Sequence, residues 1–172
     1  MPDRLTPAQR HYNMSRIRGK NTKPEMLVRQ YLWSHGYRYR LNCRNLPGKP
    51  DIVLGKYRTC IFINGCFWHG HQGCRYYTIP KSNTEFWKNK VKRNRERDGE
   101  VLRKLVNSGW HCITIWECEL KPDRRRQTLE SLLDELSRIY FGDHGIRTYE
   151  IEEEDMRLMV AEDASGYGRT KK

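Results

Sequence analysis

Residues 66–74 read Cys-Phe-Trp-His-Gly-His-Gln-Gly-Cys, and no other stretch constrains the chain as tightly. Cys66, His69, His71 and Cys74 crowd two thiols and two imidazoles into one short loop. Such soft S and N donors suit a tetrahedral zinc ion, which in a structural site takes four ligands. Phe67 and Trp68 lie inside the same loop. Large aromatics in a tight polar loop are unusual as core residues and suggest contact with something outside the protein.

The rest of the chain sets the context for that loop. At 172 residues it has the length of about one domain and enough chain to bury a core. The N-terminal segment lacks the apolar run of a signal peptide. No segment approaches the roughly 20 apolar residues of a membrane helix. The expectation is a cytoplasmic protein whose cysteines stay reduced. Its six cysteines then read as metal ligands or core thiols. The formal charge of +12 is unevenly spread: residues 1–120 hold 23 basic and 9 acidic side chains, residues 121–172 hold 10 and 12. The basic excess lies with the Cys/His loop and favours a polyanion, nucleic acid first.

Residues 1–21 are polar, basic and poor in periodic apolar residues, and read as a flexible arm or one ordered only on binding. Thr22-Lys-Pro-Glu25 is a capping box with proline in the first turn, which starts a helix ending near Gly36. Residues 37–42 alternate aromatic and basic, as in a half-exposed strand. Leu46 to Pro50 forms a tight loop, 51–54 a short strand and 58–64 a more buried one. Ser82-Asn-Thr-Glu85 offers a second capping box for a long basic helix over about 84–107, with Phe86, Val91, Leu102, Leu105 and Val106 on its apolar stripe. Trp110–Ile115 reads as a buried strand and 125–140 as an amphipathic helix. The acidic extension 142–172 is turn-rich and its end disordered. This order predicts an α/β domain, a central mixed sheet with helices on both faces.

Three further positions could carry chemistry. Cys118, at the end of a predicted strand, is a fifth zinc-ligand candidate; with it, one of the two histidines is free for other work. Asp51 opens a strand directly after Pro50, and a carboxylate there can hold magnesium with water and phosphate oxygens. Asn94 and Asp98 share a helix face. Asp98 could orient a catalytic histidine, although on spacing alone a solvated helix face is the better reading. Cys60 and Cys112 read as core thiols.

Together these residues resemble the very-short-patch repair (Vsr) endonucleases, which nick DNA at T·G mismatches. The resemblance spans about residues 10–140. It rests on Asn13-Met-Ser-Arg16-Ile17, Thr22…Glu25, Leu46-Pro-Gly-Lys-Pro-Asp51, Gly65-Cys-Phe-Trp-His69-x-His71…Cys74, Glu85-Phe-Trp87, Asn94-x-x-Arg97-Asp98 and Gly109-Trp110…Trp116-Glu-Cys118.

The resemblance implies a restriction-endonuclease-like fold over 22–141 with a structural zinc loop. It implies Mg²⁺ at Asp51, with the backbone of Ile63, and His69 as general base supported by Asp98. Glu25 would organise water around the metal. Zinc would take Cys66, His71, Cys74 and Cys118. Phe67 and Trp68 would enter the base stack beside the mismatch, and Met14, Arg16 and Ile17 would contact DNA from the arm. The implied partner is double-stranded DNA with a T·G mismatch, cut 5′ to the thymine by a monomer that works alongside other mismatch-repair proteins. Asn64 stands where the family often has a histidine at the active site; it can hydrogen-bond but cannot titrate. No lysine lies in residues 57–80, so the Asp/Glu-x-Lys pattern of many restriction enzymes is absent. Two other readings remain: a non-catalytic, zinc-stabilised DNA-binding module, and a restriction-type nuclease on paired DNA.

Overall fold

The computed structural model describes residues 6–16 and 19–145. Helices α1 (Pro7–Ser15) and α2 (Lys23–Ser34) precede strands β1 (Arg40–Leu41), β2 (Ile52–Leu54) and β3 (Thr59–Asn64). The long α3 (Thr84–Asn107), β4 (His111–Trp116) and α4 (Arg125–His144) follow, with short 3₁₀ turns at Gly55–Tyr57 and Glu117–Leu120. The first compact unit ends at Tyr140; of the second, the described residues 141–145 complete α4 and its exit.

The sheet order is β1-β2-β3-β4. The first two pairings are antiparallel and β3–β4 is parallel, in register from Thr59↔His111 to Asn64↔Trp116. A parallel pair needs a crossover, and α3 supplies it. Alternation along the strands sends side chains to two cores. Ile52, Leu54, Ile61 and Ile115 pack with Val28 and Leu32 of α2 and with Leu129, Leu132 and Leu136 of α4. Val53, Cys60, Cys112 and Phe62 pack on the other face with Val101 and Leu105. The mixed sheet between helices is the predicted architecture, and Cys60 is a fully buried core thiol, with Cys112 half-buried beside it.

Local details differ from expectation for identifiable reasons. Within the arm, residues 7–15 form α1. The Thr6 hydroxyl accepts from the Gln9 N–H at 3.2 Å while the Gln9 side chain accepts from the Thr6 N–H at 2.9 Å, a capping box ahead of a proline. The predicted strand over 37–42 shrinks to Arg40–Leu41, because the Tyr37 N–H still closes the end of α2 on Leu32 O and Tyr39 donates its hydroxyl to Arg29 O. The Ser82…Glu85 capping box does not form. Asn83 occupies the N-cap in a left-handed conformation, Thr84 bonds back to Pro80 and Lys81 carbonyls, and Glu85 pairs with Lys88. Phe86 and Val106 are exposed rather than on the buried stripe. Of the acidic extension, residues 146–172 lie outside the described residues.

Candidate active site

The parallel ends of β3 and β4 and the start of β2 meet at one edge, where the predicted catalytic residues line one cleft. Asp51 leads into β2 and borders the end of β3. If the β2–β3 register continued, Pro50 would face Ile63. Proline has no N–H to give, so the ladder stops there. The Asp51 carboxylate takes the Ile63 N–H instead, at 2.8 Å. Burial is the main reason its pKa lies above the ordinary 3.8; the Ile63 hydrogen bond opposes the rise and the Glu25 charge adds to it.

His69 reaches the same cleft from the loop after β3. Its Nδ1 lies 2.5 Å from Asp98 Oδ2, and both side chains are about one-quarter exposed. Four residues earlier on α3, buried Asn94 donates its amide to the Trp68 carbonyl at 2.8 Å. Consecutive loop residues are therefore gripped by one face of the helix. Gly70 makes the approach possible. Its φ is +63°, and a Cβ there would stand 2.5 Å from Val91 Cγ1 and 3.0 Å from Arg95 Cδ. Below it, Gly48 in the loop before Asp51 lies against Val101 of the same helix, with no room for a side chain.

Glu25 is buried and firmly held. It accepts from the Asn21 N–H at 2.9 Å, the Thr22 hydroxyl at 3.0 Å and the Arg29 guanidinium at 2.9 Å. With Asp51, Ile63, Asn64, His69 and Asp98 it lines one cleft of about 600 Å³.

The metal-ligating group forms behind this cleft. Cys66 lies two residues past β3 and Cys118 two past β4, and the parallel register that pairs Asn64 with Trp116 sets them side by side. The ligand atoms of Cys66, His71, Cys74 and Cys118 all lie within 4.8 Å of one another. His71 Nδ1 is 3.4 Å from Cys118 Sγ, and its ring stacks on Trp116 at 4.0 Å. Zinc bonds of about 2.0–2.3 Å to four ligands give edges of about 3.3–3.8 Å, so a small contraction would close the shell. Burial, with the neighbouring thiols, pushes Cys118 up to about 12. His69 is not in this group.

Phe67 and Trp68 are half-buried. They form an edge-to-face cluster with Trp87 of α3, with centroids 5.2–6.0 Å apart.

Residues 2–75 match the family described as DNA mismatch endonuclease Vsr. Three relatives extend the likeness. The Type II nicking enzyme V.NmeAIP of Neisseria meningitidis is 50% identical over 121 residues, 70% of this chain and 86% of the relative. The Type II nicking enzyme V.XorIIP of Xanthomonas oryzae pv. oryzae is 48% identical over 120 residues, 70% of this chain and 88% of its own length. The DNA mismatch endonuclease Vsr of Escherichia coli is 36% identical over 143 residues, 83% and 90% of the two chains. The chain belongs to the Vsr family of DNA mismatch endonucleases.

Within this Vsr-family chain the arm is the least determined part of the predicted site. Arg16 is exposed just after α1, while Ile17 and the side chain of Met14 lie outside the described residues. Sequence reasoning also missed partners. Trp87, Val91, Asn94, Asp98, Val101 and Leu105 recur at alternating steps of four and three, one continuous stripe on α3. Asn94 and Asp98 occupy core-facing positions of that stripe. Polar residues there were the readable signal of a site. Arg44, Lys49 and Arg97 line the cleft as well; Lys49 and Arg97 lie inside motifs that carried the resemblance but were given no role there, and nothing singled out Arg44.

Proposed function

We propose that this mismatch endonuclease nicks one DNA strand 5′ to the thymine of a T·G pair, with Asp51, His69 and Asp98 as its hydrolytic centre. The observation that carries the reading is the His69–Asp98 contact on the wall of the cleft that Asp51 also lines. With Nδ1 engaged by a carboxylate, the imidazole keeps the tautomer whose Nε2 can accept a proton, and Asp98 steadies the cation that forms. His69 then removes a proton from the attacking water. Glu25, held by three hydrogen bonds, orders water in the cleft, and Asn64 hydrogen-bonds phosphate without exchanging protons. The products are a 5′-phosphate and a 3′-hydroxyl.

The residues present suit two metals. A carboxylate whose charge is disfavoured by burial and by nearby Glu25 is relieved by a cation, so Asp51, with the Ile63 backbone, fits magnesium. Bound there, magnesium would polarise the phosphate and stabilise the leaving oxygen. The S₃N donor set of Cys66, His71, Cys74 and Cys118 fits a structural zinc ion that would hold the loop carrying His69.

Phe67 and Trp68 enter the base stack beside the mismatch, where weak pairing makes unstacking cheap. Trp87 braces them from α3. Their position next to His69 in the chain ties recognition to the cutting site. The test is nicking of matched and T·G duplexes with Mg²⁺, using wild type and His69→Ala. Mismatch-selective nicking that His69→Ala loses, while binding persists, is expected. Equal cutting of both duplexes, or full activity in His69→Ala, refutes the reading.

A further inference from the structure

Several of the charges at the cleft already answer one another. Glu25 is answered by Arg29, and Asp98 by His69 and, at 3.5 Å, by Arg97. Asp51 has only a backbone N–H. Strand β3 contributes Phe62, Ile63 and Asn64, all uncharged. Beside a metal at Asp51, the cleft cations with no ion pair among the described residues are Arg44 and Lys49, and Lys49 is the nearer to Asp51 in the chain.

Lys49 stands two residues before Asp51 and lines the same cleft. Its backbone is left-handed, with φ +51°, which is uncommon for a side chain larger than Asn or Asp. The loop holds it there from both sides. Gly48 is jammed against Val101, Pro50 is fully buried, and the Lys49 N–H closes a turn on Leu46 O at 3.3 Å. Between two immobilised neighbours the Lys49 side chain stays exposed, and among the described residues its ammonium makes no ion pair. Glycine would suit this backbone better, so its occupation by lysine points to a use for the charge.

We propose that Lys49 is a catalytic residue whose ammonium receives a non-bridging oxygen of the scissile phosphate. This rests on the cleft being the cutting site. A compact ammonium suits a single phosphate oxygen, leaving the remaining oxygens to Asn64 and the metal. Lys49 thus does from the loop what no residue of β3 can do.

The test pairs the full-length chain with T·G duplexes whose scissile phosphate is either intact or replaced by a neutral methylphosphonate. Binding is measured without added divalent cation, so that no cutting occurs, for wild type, Lys49→Gly and Lys49→Arg. Neutralising the phosphate should weaken wild type about tenfold, and Lys49→Gly should weaken binding to the intact duplex about equally. The two changes together should cost no more than either alone. Lys49→Arg should keep the sensitivity to the phosphate. With Mg²⁺, single-turnover nicking by Lys49→Gly should fall at least about tenfold while its melting temperature holds or rises, because glycine relaxes the backbone. Losses that multiply independently overturn the role of Lys49 and leave the cleft reading intact. A wild type indifferent to that phosphate overturns both.

Discussion

Gly70→Ala tests whether the seating of the Cys/His loop on α3 is what joins His69 to Asp98. Two costs act together at this position. An L-residue at φ +63° is disfavoured by about 1–2 kcal/mol. The new methyl would also stand 2.5 Å from Val91 Cγ1 and 3.0 Å from Arg95 Cδ, and such overpacking costs about 1–3 kcal/mol. The expected loss is about 2–5 kcal/mol. Gly73 provides the control: its φ is +69° but nothing lies within 4 Å of its would-be Cβ, so Gly73→Ala meets the backbone cost alone, about 1–2 kcal/mol. Denaturant unfolding of both variants separates strain from collision. Lifting the loop by even 1 Å stretches the His69–Asp98 and Trp68–Asn94 bonds, so Gly70→Ala should also nick at least about tenfold more slowly, whereas Gly73→Ala should not. Val91→Ala removes the colliding methyls. Added to Gly70→Ala, it should cost less than it does in wild type and restore part of the activity. Equal destabilisation by Gly70→Ala and Gly73→Ala, or strictly additive effects with Val91→Ala, would refute the reasoning.

Three further outcomes follow from the same geometry. Asp98→Asn keeps the shape but no longer steadies the imidazolium; single-turnover nicking should fall about 10–100-fold with T·G binding unchanged, and a fully active variant would remove Asp98 from its assigned role. Stripping metal with a chelator should lower the melting temperature and expose Cys66, Cys74 and Cys118 to a thiol reagent, with metal analysis of the native protein giving one zinc per chain; a thiol count unchanged by chelation would count against the ligand set. Asp51→Asn should abolish nicking yet melt higher than wild type in buffer without magnesium. The Asp51 pKa is raised in the fold, so its contribution to stability is present below the ordinary 3.8 and is lost as pH rises through the folded value, leaving a penalty at neutral pH that asparagine removes. The gain should vanish below that range, and a lower melting temperature at pH 7 would contradict it.

Local chemistry carried much of the legible information. Capping boxes with proline marked the start of α2, and one of the same kind at Thr6–Gln9 started α1, where sparse apolar periodicity hid it. Residue type and spacing alone identified a zinc-competent set of five candidates, because thiols and imidazoles so close together have few other uses. Short apolar runs between turn residues placed β2 and β3, and the runs are nearly unbroken because each strand presents one face to each core.

Spacing alone could not assign which atoms meet, although the family resemblance implied the same pairings. Asp51, His69 and Asp98 are spread over 48 of the 172 residues, and their convergence depends on β2 starting where β3 ends and on α3 crossing back over the loop. The choice of His71 over His69 for the metal group followed from the parallel β3–β4 register, which carries Cys118 to Cys66 and leaves His69 facing α3. The nine residues at 66–74 thus declared their chemistry by themselves. Their division of labour was decided by the sheet edge and the helix that hold them, because ligand distances and hydrogen bonds belong to three-dimensional neighbours, and spacing along the chain does not encode them.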